Sequence, residues 1–186
     1  NWYQRSDPPH KSMIRIASLI FLLAATLPTF ALPIRVLAWD GEVAARKLAI
    51  AYGKDFKQVG FMHPSARSAP IQVPTGAENL RLVATDRQND DGTPMTIPLV
   101  IAESIKNPLL LVLPDPKAKS GLKPLILEDN SATFKWGTVR LINATPEPMI
   151  FRWEKLSVNL PPSWTPVEVA PGGQARNMEV FLYRKN

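Results

Sequence analysis

Cysteine is absent from the 186 residues. That excludes disulfides, thiolate metal sites and cysteine nucleophiles together. Histidine is nearly absent too, His10 and His63 being the two. A metal centre built from several histidines is excluded by that count. There is no glycine-rich phosphate loop and no glycine-framed serine elbow. Charge of one sign does not dominate: 22 basic and 16 acidic residues leave a net +6. The excess is spread along the chain, which argues against nucleic acid as a partner. Long apolar runs are missing with one exception, Ile16 to Leu27.

That exception has the form of an export leader. Lys11 and Arg15 flank it with positive charge, Pro28 ends it, and Thr29-Phe30-Ala31 offers small residues for cleavage after Ala31. A run of twelve residues, softened by Ser18 and Thr26, is too short to span a bilayer, which takes about 20. The reading is a signal-peptide helix over 13–31, so contact with the membrane is expected only through the leader before cleavage. Residues 1–12, "NWYQRSDPPHKS", fit no part of a leader and read as an upstream or disordered extension. Without residues 1–31 the chain keeps 19 basic and 15 acidic residues, a net +4. The remaining 32–186 reads as one domain in the periplasm or outside the cell. Its last stretch, "NMEVFLYRKN", reads as a strand with no closing strand after it, so truncation at the C-terminal end is expected.

What is plentiful is proline. Sixteen of nineteen prolines, and all nine glycines, fall in 32–186. Proline inside a helix costs about 3 kcal/mol, so short strands between turns are the better template. Apolar residues alternate as half-buried strands require: Ile34, Val36 and Ala38; Leu48, Ile50 and Tyr52; Leu80, Leu82 and Ala84; Val139 and Leu141; Met149, Phe151 and Trp153; Val167 and Val169; Met178, Val180 and Leu182. Leu109 to Leu113 and Pro124 to Leu127 are continuous apolar runs and predict central strands covered on both faces. "RQNDDGTP", "PDPKAKSGLKP" and "APGGQ" carry turn chemistry, and "ATPEP" (Ala144 to Pro148) reads as a hairpin link. Gly41 to Arg46 predicts at most one helical turn. No internal repeat is visible. About ten strands of this kind predict an all-β, two-sheet antiparallel sandwich.

From Ile97 onward, "NPLLLVLPDP" (Asn107 to Pro116), "LILEDNSATFKWGTVRLINATP" (Leu125 to Pro146) and the turn "APGGQ" set a strand rhythm. In this the chain resembles a group of exported β-sandwich proteins of Verrucomicrobia-like and Planctomycetes-like bacteria. The likeness covers about half of 32–186. It implies an immunoglobulin-like sandwich and no activity.

Candidate chemistry is sparse. His63 stands near Ser65 and Ser68, a nucleophile–base pairing in principle; a surface-loop histidine is the plainer reading. Asp86, Asn89, Asp90 and Asp91 share a loop, but their spacing is not that of an EF-hand. Glu128 and Asp129 are neighbours on a strand, so they point to opposite faces and make a poor catalytic couple. Lys117, Lys119 and Lys123 read as a solubilising hairpin tip. Asn143 opens a glycosylation sequon, "NAT", yet reads as a strand end whose side chain bonds the next turn. Of the tryptophans, Trp153 reads as core. Trp136 and Trp164 read as rim residues able to stack on sugar rings.

The sequence therefore predicts no catalytic residue, metal or cofactor. It predicts a non-enzymatic module with a structural or protein-interaction role and an unidentified protein or polysaccharide partner. The alternatives are a carbohydrate-binding module using Trp136 and Trp164, or an accessory domain of a secreted hydrolase. The burial of the two indoles discriminates between these readings.

Overall fold

The computed structural model describes residues 31–132, 134–170, 172 and 177–184. The leader, apart from Ala31, and residues 1–12 lie outside these. Among the described residues the protein is all-β, with one helical turn. The strands are β1 (Ala31–Ala38), β2 (Leu48–Tyr52), β3 (Asp55–Gln58), β4 (Ile71–Pro74), β5 (Arg81–Gln88), β6 (Pro94–Pro98), β7 (Pro108–Pro114), β8 (Leu122–Glu128), β9 (Val139–Leu141), β10 (Met149–Trp153), β11 (Leu156–Leu160), β12 (Val167–Val169) and β13 (Val180–Arg184). The turn, α1 (Gly41–Ala44), is capped by Asp40, whose carboxylate accepts from the Val43 N–H at 2.8 Å.

Two four-stranded sheets run β4-β1-β7-β8 and β3-β2-β5-β6. One buried cluster draws on both: Ile34, Val36, Val73, Leu110 and Val112 from the first, Leu48, Ile50, Tyr52, Leu82 and Ala84 from the second. The alternation in β1 explains its share, since Ile34, Val36 and Ala38 are all buried on one face. β2 goes beyond its alternation. Ala49 and Ala51 are buried as well, against Val83, on the strand's other face.

Not every ladder is antiparallel. β1 divides its pairing, Ala31 to Ile34 lying antiparallel to β4 and Arg35 to Ala38 parallel to β7. A parallel neighbour has to be reached by a long crossover, and here β2 to β6 supply it. β7 is central and buried as its apolar run predicts. β8, also expected to be central, is the edge of its sheet, with Lys123 to Ile126 only partly buried. "ATPEP" is not a hairpin: β9 pairs with β12, while β10 pairs with β11 and β13, so the link crosses between sheets. Four short strands escaped the alternation pattern. β3, for example, is exposed throughout, and β6 begins and ends on proline.

A repeat invisible in the letters is explicit in the ladders. In the first set Leu32, Pro33 and Ile34 face Val73, Gln72 and Ile71; in the second Val139, Arg140 and Leu141 face Val169, Glu168 and Val167. Tyr52 pairs with Asp55 across Gly53-Lys54, and Trp153 pairs with Leu156 across Glu154-Lys155. Gly53 and Glu154 share a φ of 49°. Ala49 sits between Gln58 and Val83, and Ile150 sits between Asn159 and Tyr183. Gly76 and Gly172, each three residues past the matching valine, take φ of 77° and 68°. Thus β1 to β5 and β9 to β13 are two copies of one strand arrangement.

Arg46 holds the two large sheets together at one end. Its Nε lies 2.5 Å from the Asp86 carboxylate, its Nη2 3.0 Å from the same group, and Nη2 also reaches the Ser120 carbonyl in the β7–β8 loop at 3.3 Å. These hydrogen bonds hold the Asp86 carboxyl below the usual carboxylate range, against the opposing effect of burial. A carboxyl whose folded pKa is lowered stabilises the fold above its unfolded pKa, about 3.9. That stabilisation is lost as the pH falls through the folded value. Asp86→Asn is expected to cost about 1–2 kcal/mol at neutral pH. It should also flatten the acid limb of a urea-melt stability profile below about pH 4. An acid limb unchanged from wild type would remove Asp86 from this role.

Candidate functional site

The Trp136 turn is built by its own backbone. The Thr138 N–H donates to the Lys135 carbonyl at 3.1 Å, and Gly137 takes a φ of 82° at the third position. Such a turn requires a positive φ there, which glycine takes without strain. The Trp136 indole is fully exposed. Trp164 differs: it is half-buried, with the Lys123 ammonium 3.9 Å from its ring centroid. One face of that indole is thus held by a cation.

The ladder between β9 and β12 separates the pair. Val139 faces Val169 and Leu141 faces Val167. Trp136 therefore leads into one end of the ladder and Trp164 into the other, so the topology does not join them in one platform. Arg140, between them, is fully engaged. It pairs with Glu168, donates to the Glu128 carbonyl at 2.8 Å and lies 4.5 Å from the Phe134 centroid.

Most of the remaining candidates are bonded to one another or to neighbouring groups of the fold. Ser65 Oγ lies 2.9 Å from His63 Nδ1, and the Ser65 N–H donates to the same nitrogen at 3.1 Å. The ring stacks on Phe61 at 5.7 Å. Ser68 is buried instead, accepting from the Val36 N–H and donating to the Ala69 carbonyl. In the acidic loop Asp86 is taken by Arg46, and Asp91 caps Thr93 through its N–H and hydroxyl. No group of three histidine or acidic residues able to hold a metal occurs among the described residues. Glu128 accepts from the Lys106 and Asn107 N–H groups, while Asp129 pairs with Arg67. Asn143 is buried; its amide donates to the Glu147 and Leu160 carbonyls and its oxygen accepts from Thr145. It pins the crossing link, and its amide nitrogen is already committed.

The feature that alternation alone did not reveal is β13. Val180, Phe181, Leu182 and Tyr183 are all exposed, although the strand reads as half-buried from its sequence. It is the outer strand of the order β11-β10-β13. Leu156, on the opposite edge strand, is exposed as well. No family model, curated protein or solved structure matches the chain.

Proposed function

We propose that the chain is an exported, non-enzymatic β-sandwich module, immunoglobulin-like in build, that acts by binding another protein. Two four-stranded sheets over one core, and a first strand divided between two neighbours, support the sandwich. The leader-like run supports export to the periplasm or exterior, with the membrane met only before cleavage after Ala31. The observation that carries the binding role is the exposed apolar strand β13. Soluble proteins rarely leave such surface bare unless it is used. Of the catalytic candidates, Glu128 is held by the Lys106 and Asn107 N–H groups, Asp129 by Arg67 and Ser68 by the Val36 N–H, and nucleic acid finds no concentrated basic patch in the sequence.

A second reading, polysaccharide binding, draws on one observation: the fully exposed Trp136 indole. One experiment separates the two. Residues 32–186, Trp136→Ala and a Phe181→Ser/Leu182→Ser variant are run against cross-linked envelope proteins of the source cells and in gels containing soluble polysaccharides. A protein partner lost only in the β13 variant supports the proposal. Polysaccharide retardation lost only in Trp136→Ala overturns it in favour of the sugar reading.

A further inference from the structure

The two copies differ where they meet. Among the described residues no ladder joins the sheets of β1 to β8 to those of β9 to β13, and the main core cluster takes no residue beyond Ile126. Side chains hold the second copy to the first instead. Arg140, in the middle of β9, donates to the Glu128 carbonyl at the end of β8 at 2.8 Å. Lys123, near the start of β8, sets its ammonium over the Trp164 ring.

The first copy has no such groups at the matching places. Pro33 stands where Arg140 does, and Gln72 where Glu168 does. Ser68 and Trp164 each stand five residues before the matching valine, Val73 and Val169. Ser68 turns back into its own copy and accepts from the Val36 N–H, whereas Trp164 meets a strand of the other copy. The strand arrangement forms in the first copy without Arg, Glu or Trp at these positions, so building it does not require them.

We infer that Arg140, Glu168 and Trp164 form a joint that locks the second copy against β8, so that the two copies turn as one body. The Glu168 carboxylate neutralises Arg140 from directly across the ladder. Phe134 lies 4.5 Å from the same guanidinium and ties in the link. One side chain thus touches the first copy, the link and the second copy. A single contact would be a pivot. Lys123 and Glu128 stand five residues apart on β8, about 17 Å at the rise of a strand, so the two contacts together resist rotation. The joint carries β13 at a fixed angle to the first copy, and it does not depend on what β13 binds.

Residual dipolar couplings measured on the whole chain test it. Amides of β1 to β8 and of β9 to β13 should fit one shared alignment tensor. In an Arg140→Gln/Trp164→Ser variant the shared fit is expected to be lost, each copy then needing its own tensor. Unchanged hydrogen-exchange protection in β9 and β12 certifies that their ladder still forms. Should that protection fall, Lys123→Ala decides instead. It lies outside the second copy and leaves only the Arg140 pivot, so loss of the shared tensor is expected there too. Two tensors in the unaltered chain overturn the inference. One shared tensor in the variant that decides overturns it as well.

Discussion

Leu82→Ala is expected to lower the unfolding free energy by about 2–5 kcal/mol, while Leu182→Ala should change it by no more than about 0.5 kcal/mol. The residues are the same type at equivalent places in the two copies, and their surroundings set the difference. Leu82 lies wholly within the cluster shared by the two large sheets, between Ile50 and Ile97. Removing its isobutyl group leaves a cavity lined by branched side chains on rigid strands, which collapse poorly around it. Leu182 already faces solvent, so little burial is lost. Urea denaturation of both variants, followed at equal slope, measures the contrast. Equal costs would mean that the second copy is packed as tightly as the first.

Trp153→Ala carries the second large effect, about 3–5 kcal/mol of local stability. Trp153 is the buried end of β10, facing Leu156 on one side and Val180 on the other, with its ring 5.5 Å from that of Phe151. It occupies the place Tyr52 holds in the first copy. Tyr52 belongs to the main core cluster and Trp153 does not. The loss should therefore stay within β10, β11 and β13. Residue-level hydrogen exchange is the measurement: protection in the C-terminal sheet falls while β2, β5 and β7 keep theirs. A uniform fall across all strands would show instead that the two copies unfold as one unit.

Several elements are legible in the sequence because their causes are local. A buried stripe needs only every second residue to be apolar, and a strand covered on both faces needs an unbroken apolar run, which is why β1, β2 and β7 stand where the pattern puts them. A tight turn needs a residue able to take positive φ, which Gly92 and Gly121 supply in the two polar loops. Asn143 binds its neighbours two and four residues on, again within local reach. The candidate surface was only half legible. Trp136 beside glycine pointed to a rim, but the lysine on Trp164 comes from a strand more than forty residues earlier, and no local pattern brings them together.

The residues by themselves determined the secondary structure class and the exclusions: no thiol chemistry, no histidine cluster, short strands punctuated by proline. These follow from side-chain inventory and from backbone preferences that act over a few residues. Only the tertiary structure decided which strand neighbours which. It turned β1 parallel to β7, moved β8 to an edge, sent the Ala144–Pro148 link across two sheets and left the apolar side chains of β13 exposed. It also revealed the two copies. Ladders are held by main-chain groups common to every residue, so Ala49 and Ile150, or Ile50 and Phe151, keep the same places in the pairing without resembling one another.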